Sequence, residues 1–185
     1  MEDSQIIELY WQKNADAISE TSSKYGAYCY TIADNILHSI EDSEECVNDT
    51  WLHAWNAMPP QKPNVLRMFL AKITRSLSVN RFKARSAEKR GGGEINLVLD
   101  ELADCLAGGT NVEAEYEVKE LEQCIRRFVR GLPERDGNVF VRRYFFTEPV
   151  AAIAKRYGLT ESNVTVILSR TRKKLRLKLA REGYL

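Results

Sequence analysis

Apolar positions recur along most of the chain at steps of three and four, the mark of helices buried on one face. Ile6, Ile7 and Tyr10 predict a short opening helix. Ala15, Ile18, Ser22, Tyr25, Cys29, Ile32 and Ile36 predict one long helix after it, with Gly26 as its point of interruption. A third helix is expected to be capped by Asp42, with Glu45 at capping-box spacing. It carries Cys46, Thr50, Trp51, Ala54 and Met58 and stops at Pro59-Pro60, because proline has no N–H to continue it. Asn64 is then expected to cap a fourth helix with the stripe Val65, Phe69, Ile73, Leu77 and Asn80. The periodicity fades from Gly91 to Glu113, where glycines flank the partly apolar stretch Leu97 to Leu106. This reads as a linker that carries a short docking helix.

After the linker, Leu121, Cys124, Ile125, Phe128, Val129 and Leu132 mark a strongly amphipathic helix. Val139, Phe140 and Tyr144 mark the next. The chain then offers a short helix, a turn and a long basic helix. Val150, Ile153, Ala154 and Tyr157 share one face of the short helix, and Pro149 suits its first turn. Gly158 can take the left-handed conformation that ends it, Leu159 turns inward, and Thr160 caps the following helix. That helix has the apolar stripe Val164, Ile167, Leu168, Leu175 and Leu179, with Arg170, Arg172, Lys173, Lys174, Arg176, Lys178 and Arg181 around the remainder. A short Gly-bearing connection followed by a basic helix is the pattern of a DNA-binding helix-turn-helix.

Charge sharpens this picture. The net charge of +1 conceals four blocks: −9 over residues 1 to 60, +8 over 61 to 93, −8 over 94 to 125 and +10 over 126 to 185. Two basic segments alternating with two acidic ones predict two separate surfaces for nucleic acid, whatever the overall balance. Cys29, Cys46, Cys105 and Cys124 lack metal-ligand spacing, and His38 and His53 fit neither a metal nor a catalytic pattern. Cys29 and Cys124 sit at core-facing positions and act as small hydrophobes. No glycine-rich phosphate loop is present, so no cofactor, no metal and no enzymatic activity are expected. No apolar run approaches the ~20 residues of a membrane span. The N-terminus lacks the order of a secretory signal, which predicts a cytoplasmic protein without membrane insertion.

The run Glu44-Glu45-Cys46-Val47-Asn48-Asp49-Thr50-Trp51-Leu52-His53-Ala54-Trp55 is similar to region 2.2 of bacterial sigma factors of the extracytoplasmic-function group, within the sigma-70 family. Phe69-Leu70-Ala71-Lys72-Ile73-Thr74-Arg75-Ser76-Leu77-Ser78-Val79-Asn80-Arg81-Phe82 is similar to regions 2.3 and 2.4. Leu132-Pro133-Glu134-Arg135, with the later Ile153-Ala154 and Gly158-Leu159-Thr160, is similar to region 4. The resemblance covers nearly the whole chain. It implies an all-α protein of two helical domains: a region 2 domain over 1–90, a flexible linker over 91–115, and a four-helix region 4 domain over 116–185.

The resemblance also implies partners: core RNA polymerase, promoter DNA and an inhibitory anti-sigma factor. Asn48, Asp49, Trp51, Leu52 and Trp55 match the polymerase-binding positions. Ser76, Asn80, Arg81, Lys83 and Arg85 match those that hold the melted −10 element, with the Pro59 to Pro63 loop as a pocket wall. Ser162, Asn163, Thr165, Val166, Ser169 and Arg170 match the −35 readers, with Arg172 and Lys173 on phosphates. Two positions depart from the family's pattern: Ser76 stands where asparagine is frequent, and Thr165-Val166-Ile167 is less polar than usual. The competing reading is a helix-turn-helix regulator that works without polymerase, which leaves the Trp51/Trp55 helix unexplained.

Overall fold

The computed structural model describes residues 1–86, Val98, Glu101, Leu102 and residues 115–184, with only the backbone described at Ser86 and 115–119. Every regular element among them is an α-helix. The chain divides into two units, Met1–Gly93 and Glu94–Leu185.

The first unit holds α1 (Asp3–Trp11), α2 (Asp16–Leu37), α3 (Ile40–Ala57) and α4 (Leu66–Ser86). Helix α1 opens with a reciprocal capping box between Glu2 and Gln5. Helix α2 runs unbroken through Gly26 and ends at His38, which adopts a left-handed φ of 49°. The cap of α3 is Ser39, not Asp42: Ser39 is extended and its hydroxyl accepts the Asp42 N–H. Asp42 thereby falls in the first turn, where its charge complements the helix N-terminus. Helix α3 stops at Ala57, just before the prolines. Helix α4 starts two residues later than Asn64, at Leu66, with the Val65 carbonyl accepting the Phe69 N–H at 3.1 Å.

The buried faces of α2 and α4 also depart from the apolar stripes. In α4 the buried positions are Leu66, Leu70, Ala71, Thr74 and Ser78, whereas Val65 is exposed and Phe69, Ile73 and Leu77 are only half-buried. In the first half of α2 they are Ala17 and Thr21, in place of Ala15, Ile18 and Ser22. The cause is hydroxyl chemistry. Thr21, Thr50, Thr74 and Ser78 each donate to the carbonyl four residues back. Thr50 and Thr74 also meet each other at 3.0 Å, and the Tyr10 hydroxyl donates to Thr21. Satisfied in this way, hydroxyls enter the core at little cost. Around them pack Ile6, Tyr10, Cys29, Trp51, Ala54 and Met58.

The second unit holds α5 (Glu115–Arg130), α6 (Glu134–Tyr144), α7 (Val150–Tyr157) and α8 (Glu161–Arg181), the four helices expected. Cys124, Phe128, Val139, Phe140, Ile153 and Leu168 are at its centre, with Phe140 edge-on to Phe128 and tilted against Tyr144. Val98, fully buried, and Leu102 join the same core from the stretch read as a docking helix. The rest of the expected linker up to residue 114, Cys105 included, lies outside the described residues. Cys29 and Cys124 are buried as expected, and Cys46 with them. Among the described residues no helix is long and apolar enough to cross a membrane.

Candidate nucleic-acid interface

Helix α7, its turn and α8 follow the local chemistry closely. Pro149 stands one residue ahead of the first turn, at the N-cap, where its carbonyl accepts the Ile153 N–H at 3.1 Å, and α7 buries Ile153 and Ala154. Gly158 has φ +63°, a conformation that costs glycine nothing and strains a residue with a Cβ. The Leu159 N–H closes the turn onto the Ala154 carbonyl at 2.9 Å, and Leu159 packs against the core. The Thr160 hydroxyl accepts the Asn163 N–H at 3.2 Å and starts α8. Inward, α8 buries Val164, Ile167, Leu168, Leu175 and Leu179 as expected, and also Thr171, whose hydroxyl bonds the Ile167 carbonyl.

Outward, Ser162, Asn163, Val166, Ser169, Arg170 and Lys173 are all exposed. At about 100° per residue they lie within about 60° of Val166, so they form one face. Val166 is 44% exposed at its centre, an apolar patch suited to a thymine methyl. Thr165 stands about 100° to one side, its hydroxyl occupied by the Glu161 carbonyl. Arg172 lies about 120° to that side and is half-buried. Its Nη1 donates to the Glu101 carboxylate at 3.0 Å and to the Tyr144 hydroxyl at 2.6 Å. It therefore points away from the face that carries Arg170 and Lys173.

Two carboxylates support this unit without having been singled out in the sequence. Glu148 is 4% exposed, and Arg142 and Arg156 both donate to it. Glu101 accepts from Arg143 at 2.7 Å, from Tyr144 at 2.7 Å and from Arg172. A carboxylate drawn wholly or partly out of water, as Glu148 and half-buried Glu101 are, needs such partners, and single-residue patterns do not reveal them. Burial alone would raise the Glu101 pKa, but the hydrogen bonds from Arg143 and Tyr144 and the charges of Arg143 and Arg172 outweigh it and hold the carboxyl below its ordinary value. A carboxyl depressed in the folded state adds stability above the unfolded value, about 4. That contribution is lost as pH falls through the lowered folded value. Acid unfolding followed by circular dichroism is thus expected to separate wild type from Glu101→Gln at neutral pH and to bring them together in strong acid.

In the first unit, the exposed positions of α4 include Lys72, Ser76, Asn80 and Lys83. These share one stripe, within about 40° of Ser76. Arg81 and Arg85 lie about 140° and 180° from it and face α3. Arg81 is 2.6 Å from Glu45, 3.6 Å from Asp42 and 3.7 Å from Asp49, and Arg85 pairs with Asp42. The hydrogen bond and charge of Arg81 hold the Glu45 carboxyl below its ordinary range. The second basic block is therefore partly answered inside the fold by the first acidic one, so the five −10 candidates divide between two faces. Lys72, outside that set, joins the stripe of Ser76 and Asn80.

On α3 the five candidate polymerase contacts also divide. Asn48 and Leu52 are exposed, Leu52 at 57%, and Asp49 is half-buried beside Arg81. Trp51 is 5% exposed and belongs to the core. Trp55 lies at the edge, its ring edge-on to Tyr10 and 4.9 Å from the Lys13 ammonium.

A family model for sigma-70 region 2 matches residues 16–88, which takes in α2, α3 and α4. One for sigma-70 region 4 matches residues 122–175, from within α5 into α8. Comparison with curated proteins gave no match. The two matches together cover more than half of the chain, in family order, and each falls within one unit. The chain belongs to the sigma-70 family of RNA polymerase sigma factors and serves promoter recognition.

Proposed function

We propose that the protein is a sigma factor of the extracytoplasmic-function group that binds core RNA polymerase through α3, holds the melted −10 strand along α4 and reads the −35 element with α8. The observation that carries this is the exposed edge of α3, where Asn48 and Leu52 stand beside half-buried Trp55. A helix-turn-helix acting without polymerase leaves this edge unexplained. Exposed apolar side chains rimmed by polar ones mark protein contacts. The stripe Lys72, Ser76, Asn80 and Lys83 supplies phosphate neutralisation and hydrogen bonding for an unpaired strand. The outward face of α8 supplies base contacts in the major groove. The group assignment brings with it an anti-sigma partner and a cytoplasmic site of action.

The test mixes the purified protein with core RNA polymerase and maps transcript starts on promoters selected by the mixture. Discrete starts that depend on the protein support the reading. Tight binding to DNA alone, with no association with core enzyme, would overturn it in favour of the regulator. Arg170→Ala is expected to weaken binding to a selected −35 duplex by about 1–3 kcal/mol and to relax preference at one base pair. An equal loss on all sequences would place Arg170 on phosphate instead.

A further inference from the structure

Residues 98–102 lie between the spans matched to regions 2 and 4, so neither match assigns them a role. Val98, Glu101 and Leu102 have helical spacing on one face. Val98 is fully buried in the core of the second unit and Leu102 packs against it. Between them Glu101 joins α6 to α8 through one carboxylate. Arg143, whose side chain is 3% exposed, donates through Nη2 at 2.7 Å. Tyr144 donates its hydroxyl at 2.7 Å, and Arg172 of α8 donates at 3.0 Å. Arg172 closes the cluster by donating to Tyr144 at 2.6 Å.

We propose that Glu101 is a positioning residue for DNA specificity: it holds Arg172 inside the second unit as a strut and keeps this cation off the DNA backbone. The proposal rests on α8 being the DNA-reading helix. Arg172 is the neighbour of outward-facing Lys173 and lies two residues beyond Arg170. Released, its long side chain could swing from its flank of α8 to a phosphate beside the groove. A cation on phosphate feeds the sequence-independent mode of binding and adds to its salt dependence; a scrambled duplex, on which no base contacts fix the register of α8, gains most from it. Restrained by Glu101, it leaves recognition to the outward face. The segment before region 4 then contributes to promoter choice without touching DNA.

The full-length chain is used to select duplexes from a random-sequence pool. Binding to a selected duplex and to its scrambled counterpart is measured by fluorescence anisotropy over a salt series. Glu101→Gln is expected to lower the ratio of selected to scrambled affinity about fivefold or more, through gain on the scrambled duplex. The plot of log affinity against log salt should steepen by about one unit for the one added phosphate contact. Adding Arg172→Gln should restore the original slope. Equal weakening on both duplexes at unchanged slope would reduce Glu101 to a structural support and overturn the proposal. Arg172→Gln alone gives a second check that does not depend on Glu101→Gln folding. Wild-type slope and ratio are expected, and a slope shallower by about one would show Arg172 on phosphate already, which also overturns the proposal. Arg170→Ala and Lys173→Ala separate the two levels: if neither alters binding to the selected duplex, α8 is not the reader and the proposal falls with that reading. If they weaken binding while Glu101→Gln changes neither ratio nor slope, only the proposal fails.

Discussion

Replacing Leu168 with alanine is expected to destabilise the second unit by about 2–5 kcal/mol and to abolish duplex binding while the first unit stays folded. Leu168 is 2% exposed on the inward face of α8, which packs on α6 and α7. Truncation removes transfer free energy and leaves a cavity that the neighbouring helices fill only in part. Folded proteins are stable by about 5–15 kcal/mol and a unit this small lies at the lower end, so a loss at the upper end of the expected range empties its folded state. The chain supplies its own reporter. Trp11, Trp51 and Trp55 are its three tryptophans and all lie in the first unit, so their fluorescence follows that unit alone. Circular dichroism follows both. The expected result is an added low-temperature transition in circular dichroism with an unshifted fluorescence midpoint. A single transition shifted equally in both signals would refute separate unfolding.

The second large effect separates two neighbours on α3. Trp51→Ala is expected to cost the first unit about 3–5 kcal/mol, because the indole is 5% exposed and its loss opens the core between α1, α2 and α4. Leu52→Ala is expected to shift stability by no more than about 0.5 kcal/mol, since that side chain is already largely in solvent. Under the proposed function the order reverses for polymerase. Leu52→Ala weakens core-enzyme binding in a fully folded chain, and Trp51→Ala does so only as far as the unit unfolds. Thermal melts and core-enzyme titrations on the same two variants decide this. Polymerase binding that survives Leu52→Ala in a folded chain would remove α3's exposed edge from the interface.

What the chain's linear pattern reveals depends on how local the chemistry is. The turn at Gly158, the Thr160 cap and the stop before Pro59 were all legible, because each is set by residues within a turn of one another. The inward faces of α2 and α4 were not. Thr21, Thr74 and Ser78 read as polar, yet each satisfies its hydroxyl on its own helix and enters the core, which displaces the buried face from the apolar stripe. The candidate sites were legible as segments and less so as surfaces. Arg81 and Arg85 add to a basic block by count, but their partners Asp42, Glu45 and Asp49 come from an earlier helix and appear only when α3 and α4 pack. Arg172 shows the same limit: its carboxylate partner stands 71 residues away.

Lys13, with its left-handed φ of 52°, reaches from the corner after α1 to the far end of α3 and donates to the carbonyls of Trp55 and Met58 at 2.6 and 2.9 Å. Those carbonyls belong to the end of α3, where helix carbonyls lack partners within the helix. They find one 42 and 45 residues earlier in the chain. The last turn of α3 closes on its own backbone, with the Met58 N–H on the Ala54 carbonyl, but its free carbonyls gain this charged donor only when the α1 corner docks. Contacts this distant in sequence form at the pace of loop closure, so the edge that carries Trp55 is set together with the tertiary fold and not before it.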